Sequence, residues 1–421
     1  MLNCDVAVIG AGLAGLSAAL AAVQHGKSTI VAAKGMGNLY SASGYIDFLG
    51  YYPTTARQGL ENPLLGVNDL IRHNPEHPYA MIGKEDIAEA FQAFIRVSKI
   101  MGLPYTGSLT ANILIPTAAG ALVPTALYPA AMAKKIADYD NIIVAGIREH
   151  ADFYPEYAAH NLEKQLGKKV KPVWIDLGIR ISRELNSFDL ALILEQKTIR
   201  QSLINQFKSI DTTAALILMP AVLGVWKWQE TLEALEKGLN CKILEIPTLP
   251  PSVMGYRLAE ALTAFLKKCG AEFIIGHPVS RVTCSAGLCR EIMLDSASGR
   301  ELVIRAPQFC LATGGILGEG LQVGPQKIAE AVFKLPVITP GWYSSEEFFS
   351  LEGQPLSRAG VKINEKLQPV DPQTNKVVLH NVYVAGATLA GYDPFVEKSG
   401  NGVALTSGYK AGLLAAKGGS A

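Results

Sequence analysis

The chain has 421 residues, 38 Lys and Arg against 37 Asp and Glu, a net charge of +1, only 18% charged residues and a mean hydropathy of +0.21. That length exceeds one ordinary core and suggests about two or three domains. The balanced charge, with no basic patch carrying interleaved aromatics, argues against a nucleic-acid binder, and the apolar composition fits a large core or a face hidden against partner subunits.

The chain opens with a short apolar run, Asp5-Val6-Ala7-Val8-Ile9, which reads as a buried strand. Gly10-Ala11-Gly12-Leu13-Ala14-Gly15 follows at once, then a small-residue helix to about His25, ended by Gly26. Ser28 to Ala33 completes a βαβ unit. In such a unit Gly10 makes the tight turn and Gly12 lets backbone approach a phosphate. Gly15 lets helix and strand pack closely, and the helix N-terminus faces the anion. An acidic residue should end the second strand and bind a ribose, but Ala33 or Lys34 stands there. The adenine half of a dinucleotide is therefore held differently or absent, which leaves FMN open beside FAD. Lys34 is a candidate phosphate contact or a solvated charge.

Ser41-Ala42-Ser43-Gly44-Tyr45-Ile46-Asp47 suits a loop passing close to a ligand, with Ser41, Ser43 and Gly44 as contacts. Residues 50–80, rich in Pro, Asn and Gly, read as a long loop. Glu85 to Met101 reads as a helix with Ile87, Phe91, Phe94 and Ile95 on one stripe. Leu109 to Pro129 alternates short strands with breaks. The stretch 141–247 changes character. Asn141–Ile147 and Thr213–Leu218 read as strands, and Ser187–Ile210 as helical. This region is taken as a domain inserted into the first.

From residue 248 the first pattern returns. Gly255–Cys269 is an amphipathic helix and Ala271–Ile275 a strand. Val279–Cys284, Arg290–Asp295 and Leu302–Arg305 form a meander with a turn at Ser298-Gly299. Phe309 to Leu311 runs into Ala312-Thr313-Gly314-Gly315, a recurrent second signal of FAD folds. Asn381–Val384 runs into Gly386. Ser399-Gly400-Asn401-Gly402 precedes a final helix, Val403–Ala416, whose N-terminus suits the pyrimidine edge of a flavin. The cofactor candidates are thus Gly10, Gly12, Gly15, Lys34, Ser41, Ser43, Gly44, Thr313, Gly314, Gly386, Asn401 and Gly402, holding a non-covalent flavin. The implied fold class is α/β, a two-dinucleotide-binding-type flavoprotein with a Rossmann-like FAD/NAD(P)-binding domain and an inserted second α/β domain. The first would comprise 1–140, 248–335 and 375–421. The second would comprise 141–247, with 336–374 as an optional extension.

Two uncharged runs, Val6–Gln24 and Ile100–Ala133, resemble membrane spans in length. The first holds the glycine fingerprint and lacks the basic start of a signal peptide. The second is broken by Pro104, Pro116, Pro124 and Pro129. The six cysteines (Cys4, Cys241, Cys269, Cys284, Cys289 and Cys310) form no C-x-x-C pair, so neither a zinc site nor an iron–sulfur cluster is supported and buried free thiols are expected.

Over nearly its whole length the chain resembles the B-subunit family of anaerobic glycerol-3-phosphate dehydrogenases. The resemblance rests on the opening fingerprint, on Ser41 to Asp47, and on Pro116-Thr117-Ala118-Ala119-Gly120 with Pro124-Thr125. It rests also on Leu218-Met219-Pro220-Ala221-Val222-Leu223-Gly224, and on Glu245-Ile246-Pro247-Thr248-Leu249-Pro250-Pro251-Ser252 with Gly255 and Arg257. Ala312-Thr313-Gly314 and Gly386 to Pro394 complete it, and Met254 stands where the family carries proline. The resemblance implies a cytoplasmic flavoprotein component, often carrying FMN, held peripherally on the inner membrane through partners. A catalytic flavoprotein subunit would oxidise sn-glycerol 3-phosphate to dihydroxyacetone phosphate. An iron–sulfur, membrane-anchoring subunit would pass electrons toward menaquinone.

On that reading the chain relays electrons and needs no acid–base set of its own. The seven histidines show no paired spacing. A second reading is a self-sufficient flavin dehydrogenase or reductase of fumarate-reductase type acting on a small acid. It would need cationic clamps and a proton donor or acceptor, for which Arg257, Arg148 and His150 are the candidates. A third reading, a scaffold with a degenerate nucleotide fold, has only the missing ribose acid in its favour.

Overall fold

The structure, a computed structural model, describes residues 1–56, 58–179, 183–295, 299, 301–324 and 327–418. At its centre is a five-stranded sheet in the order Glu272–Ile275, Thr29–Ala33, Val6–Ile9, Gln308–Leu311, Val382–Val384, with every neighbouring pair parallel. Val6–Ile9 and Thr29–Ala33 are buried along their whole length, which is why they read as unbroken apolar runs rather than alternating ones. Helix Leu13–Gln24 crosses between them. The final helix, Gly400–Gly418, packs along it. A Cβ on Gly408 would stand 2.2 Å from the Ala14 carbonyl oxygen, and one on Gly412 2.0 Å from that of Ala18, so the two backbones approach as only glycine permits.

A second parallel sheet, in the order Lys242–Ile246, Leu216–Pro220, Ile142–Ile147, Val170–Ile175, is built entirely within 142–246. It has its own core around Ile143, Leu203, Phe207, Ile217 and Leu235, which reaches Tyr45 and Met254 of the flanking chain. Val361, Ile363 and Leu367 pack into the first core, so 336–374 does not extend the second. The meander is present as Val279–Ser285, Leu288–Leu294 and Leu302–Arg305, antiparallel, with Leu2–Asn3 added in parallel. Ser298 of its expected turn lies outside the described residues.

Four expectations need correction. The loop expected over 50–80 contains helices Pro63–His73 and Pro78–Ile82. Their prolines sit at the first helical position, where proline starts a helix, and the Asn62 and His77 side chains cap the N–H groups of Leu65 and Tyr79. Val170–Ile175 and Lys242–Ile246 are strands in a region read mainly as helical. The first is an edge strand, which is how it tolerates Pro172. The helical stretch 187–210 is divided into Ser187–Leu194 and Lys197–Phe207. At the break, Glu195 Oε1 accepts the backbone N–H groups of Val225, Trp226 and Lys227. Finally, the six cysteines are free, but Cys269 and Cys284 are exposed rather than buried. Among the described residues no cluster could hold a metal ion, and no helix is long and apolar enough to cross a membrane.

Candidate functional site

The carboxyl ends of three neighbouring parallel strands run into glycine-bearing turns on one edge of the first sheet, the edge where such sheets bind ligands. Gly10 has φ +115°, and a Cβ there would stand 2.1 Å from the Ala312 carbonyl oxygen. A Cβ on Gly15 would stand 1.9 Å from the Gly10 carbonyl oxygen, so Gly15 seats the helix on the turn. Gly12, at the cap of Leu13–Gln24, faces open space instead. That is the arrangement an anion needs: close packing behind the turn and a free face before it. Thr313 and Gly314 (φ +83°) follow the fourth strand of the sheet, and Gly386 (φ +74°) follows the fifth. Thr388 Oγ1 donates to the Gly314 carbonyl at 3.1 Å, and Gly386 N donates to Ser407 Oγ at 2.9 Å. Thr313 Oγ1 is buried with no partner among the described residues, a polar atom left over for a ligand. These features fit a flavin nucleotide.

The loop Ser41–Gly44 is held from behind by one of the segments that carry the family resemblance, the one that runs through Ser252 and Gly255. A Cβ on Gly255 would stand 1.9 Å from the Leu39 carbonyl oxygen and 2.5 Å from that of Ala42. One on Gly44 (φ +77°) would stand 2.8 Å from Met254 Cβ. Helix Val253–Lys268, capped by Ser252 Oγ on Gly255 N, therefore lies directly against the loop. Ser252 N also donates to the Tyr40 carbonyl at 2.7 Å. Ser41 is exposed, and Ser43 Oγ accepts from Tyr45 N at 3.3 Å.

The final helix begins at Gly400, three residues earlier than expected, so Asn401 and Gly402 lie in its first turn. Two of their groups are spent on the protein. Gly402 N donates to the Asp47 carbonyl at 2.9 Å, and Asn401 Nδ2 to the Tyr45 carbonyl at 2.8 Å. Among the described residues, the backbone N–H groups of Gly400 and Asn401 have no protein acceptor. The approach to this helix is fixed by a buried network that sequence reading missed. Tyr79 N donates to His77 Nδ1 at 3.0 Å, so the proton sits on Nε2 and points at Glu397 Oε2, 3.2 Å away. Glu397 also accepts from Ser399 Oγ at 2.7 Å and Asp393 N at 3.0 Å. His77 and Glu397 are 0% and 6% exposed, which marks the pair as a positioning device for the turn before the helix.

Four other candidates are placed as follows. Lys34 forms an exposed ion pair with Glu319, which brings a carboxylate to the strand end where the local sequence has none. Arg257 is corrected from substrate clamp to structural group. Its Nη1 and Nη2 grip Glu245 at 2.6 and 3.0 Å, and its Nε and Nη2 bond the Gly224 carbonyl at 2.9 and 2.5 Å. The guanidinium also lies over the Trp228 ring, 5.5 Å from its centroid. Gly224, Glu245 and Arg257 come from the separate segments that carry the resemblance, and one buried ion pair joins them. Arg148 is exposed, over the Trp174 ring. His150 is buried, with Nε2 3.1 Å from Ser187 Oγ and Nδ1 without a partner among the described residues. Burial lowers its pKa below the usual imidazole value, with Asp152 opposing. His150 and Arg148 follow Ile142–Ile147 of the second sheet, whereas the glycine turns follow strands of the first.

A parallel sheet with phosphate-type glycine turns and an orphan threonine on its carboxyl edge defines a dinucleotide-fold flavoprotein. The family model described as FAD binding domain matches residues 5–403, and the chain belongs to that family. It is a flavin-binding oxidoreductase. Among curated relatives, the B-subunit of the anaerobic glycerol-3-phosphate dehydrogenase of Vibrio vulnificus strain CMCP6 is 30% identical, over 97% of this chain and 95% of its own. The probable B-subunit of the corresponding enzyme of Halobacterium salinarum strain ATCC 29341 is 30% identical, over 99% of this chain and 98% of its own. Of solved structures, an open-conformation flavocytochrome c3 fumarate reductase aligns with 100% of this chain and 79% of its own at 11% identity and a TM-score of 0.48, too distant to add to the assignment.

Proposed function

We propose that the chain is the flavin-carrying B-subunit of an anaerobic glycerol-3-phosphate dehydrogenase, passing electrons from a catalytic flavoprotein subunit toward an iron–sulfur subunit and quinone. On this reading it sits on the cytoplasmic side of the inner membrane through its partners. The observation that carries the relay role is the fate of the cationic candidates. Arg257, one of the two arginine candidates, has its guanidinium committed to Glu245 and Gly224. The near-full-length relatives supply the rest.

The flavin would be held by the turns at Gly10, Gly12 and Gly15, by Thr313, Gly314 and Gly386, by the loop Ser41, Ser43 and Gly44, and by the amino end of the final helix at Asn401 and Gly402. When bound, a flavin supplies the one- and two-electron chemistry that side chains lack. The chain's own residues exclude water and aim dipoles. The first-sheet segments 1–140, 248–335 and 375–421 would form the flavin domain, and 141–247 the inserted one.

A role among partners is supported by a loop that displays Trp342, Phe348, Phe349 and Leu351 at 83%, 84%, 89% and 67% exposure. Its backbone is nonetheless tied down. Gln354 accepts from Ser345 N and donates to the carbonyls of Glu347 and Phe348. An ordered loop that shows large apolar side chains to water suits an interface.

The test is to purify the chain alone, identify its flavin by mass, and assay sn-glycerol 3-phosphate oxidation with an artificial acceptor. The expected result is a yellow protein that dithionite reduces and that turns over no glycerol 3-phosphate until its partners are present. Turnover by the isolated chain overturns the relay reading.

A further inference from the structure

The segment after Gly44 gathers polar groups that no structural role consumes. Tyr45 and Thr125 are 0% exposed; among the described residues the Tyr45 hydroxyl has no hydrogen-bond partner, and the Thr125 hydroxyl makes no close hydrogen bond but stands near enough to Asp47 to favour its carboxylate. Asp47 Oδ1 is also buried and unpartnered, while its Oδ2 lies 3.6 Å from Lys398 Nζ. Lys398 holds φ +49°, a left-handed backbone that a non-glycine residue adopts only when its surroundings impose it. Thr125 belongs to one motif of the family resemblance, and Lys398 lies on the approach to the final helix. The carbonyls of Tyr45 and Asp47 accept from Asn401 Nδ2 and Gly402 N, so the cluster adjoins the amino end of that helix. Buried polar groups left unpaired are costly, and several in one place call for a use. Because both hydroxyls are closed off from solvent, the cluster suits protons and water better than an organic ligand.

We propose that Asp47 is a proton-exchange site coupled to the flavin: its carboxylate takes up a proton when the ring is reduced and releases it on reoxidation. The proposal rests on reading the amino end of the final helix as the flavin-facing edge. With a flavin bound, two electrons from the reduced flavin of the catalytic partner subunit and one proton from water would enter the ring, leaving it with one net negative charge. One further proton from water forms an O–H bond on Asp47. No bond breaks in the protein, and Lys398 loses its ion-pair partner. Negative charge arriving nearby favours the neutral acid, because like charges in a poorly solvated site repel strongly.

Burial lifts the Asp47 carboxyl above the usual carboxylate range, with Lys398 and Thr125 opposing. The other titratable groups that sense it are Tyr45 and Tyr51 on its own segment and Tyr79 on helix Pro78–Ile82. Burial pushes these phenols up. Beyond Tyr45 lies Glu245, whose charge Arg257 meets, and Glu397 lies beyond Tyr79.

The test uses the full chain with its own flavin, reduced at an electrode through mediators. Two readouts are taken: the reduced-minus-oxidised infrared spectrum, and the midpoint potential across a pH series. The wild type should gain a protonated-carboxyl C=O band on reduction. Its potential should fall with pH more steeply, by one proton per two electrons, across a window between the oxidised- and reduced-state pKa values. Asp47→Asn should lose both signals and keep its flavin spectrum. Lys398→Gln should move the window to higher pH, because the cation that favours the carboxylate is gone, and this variant decides the matter if Asp47→Asn does not fold. A band and slope unchanged in Asp47→Asn, a window unmoved in Lys398→Gln, or a flavin-loaded wild type with neither signal overturns the proposal while leaving flavin binding intact. A purified chain that holds no flavin overturns the underlying reading as well.

Discussion

Replacing Arg257 with Met separates a structural role from a substrate-binding one. In the folded chain the guanidinium makes two contacts to Glu245, at 2.6 and 3.0 Å, and two to the Gly224 carbonyl. Glu245 is 0% exposed, and without Arg257 it keeps only the Leu223 N–H, at 3.0 Å. Leaving one member of such a pair buried and alone costs about 3–5 kcal/mol. Against a total stability of about 5–15 kcal/mol, this is a large fraction. Urea unfolding followed by circular dichroism should therefore show a clearly lower midpoint for Arg257→Met. The double variant Arg257→Met/Glu245→Leu should lose less, because no lone charge remains. A single variant that unfolds within about 1 kcal/mol of wild type, yet abolishes turnover of the assembled enzyme, would refute the reasoning and return Arg257 to a substrate site.

Gly402→Val should fold poorly and lose flavin, because even a Cβ there would stand 2.4 Å from Tyr79 Oη and 2.7 Å from Phe48 Cα, an overpacking worth roughly 1–3 kcal/mol; flavin retention on gel filtration checks it. His150 should make the chain acid-sensitive. Its folded pKa is lowered by burial, so as pH falls below the unfolded value of 6.5 the unfolded chain takes up a proton that the folded chain refuses. Stability then falls by at most about 1.4 kcal/mol per pH unit until the folded pKa is reached. Urea midpoints at pH 7.5 and pH 5.5 should differ less in His150→Asn than in wild type; an equal difference refutes the assignment. Phe348→Ser/Phe349→Ser should keep its flavin spectrum but leave the large assembly on native electrophoresis of cell extracts, and a variant that stays in the assembly removes this loop from the interface.

Local chemistry explains which parts of the fold were legible. Val6–Ile9, the glycine turn and helix Leu13–Gln24 were readable because strand, turn and small-residue helix follow one another without a break. The same holds for Ala312-Thr313-Gly314 after its strand. Helices Pro63–His73 and Pro78–Ile82 were obscured because proline marks both a helix start and a loop. Edge strand Val170–Ile175 was obscured because Lys171 and Pro172, both disfavoured in strands, interrupt it, and its pattern does not alternate cleanly.

The sequence by itself determined the class of ligand, since a phosphate turn is a matter of spacing within six residues and of the strand before it. It also determined the family, through motifs scattered along nearly the whole chain. The roles of those motifs were decided only in three dimensions. Gly224, Glu245 and Arg257 meet across 33 residues, Lys34 and Glu319 across 285, and His77 and Glu397 across 320. No periodicity encodes such meetings. Whether a buried charge is a clamp, a strut or a proton site depends on which partner the packing brings within about 3 Å of it, the reach of a hydrogen bond.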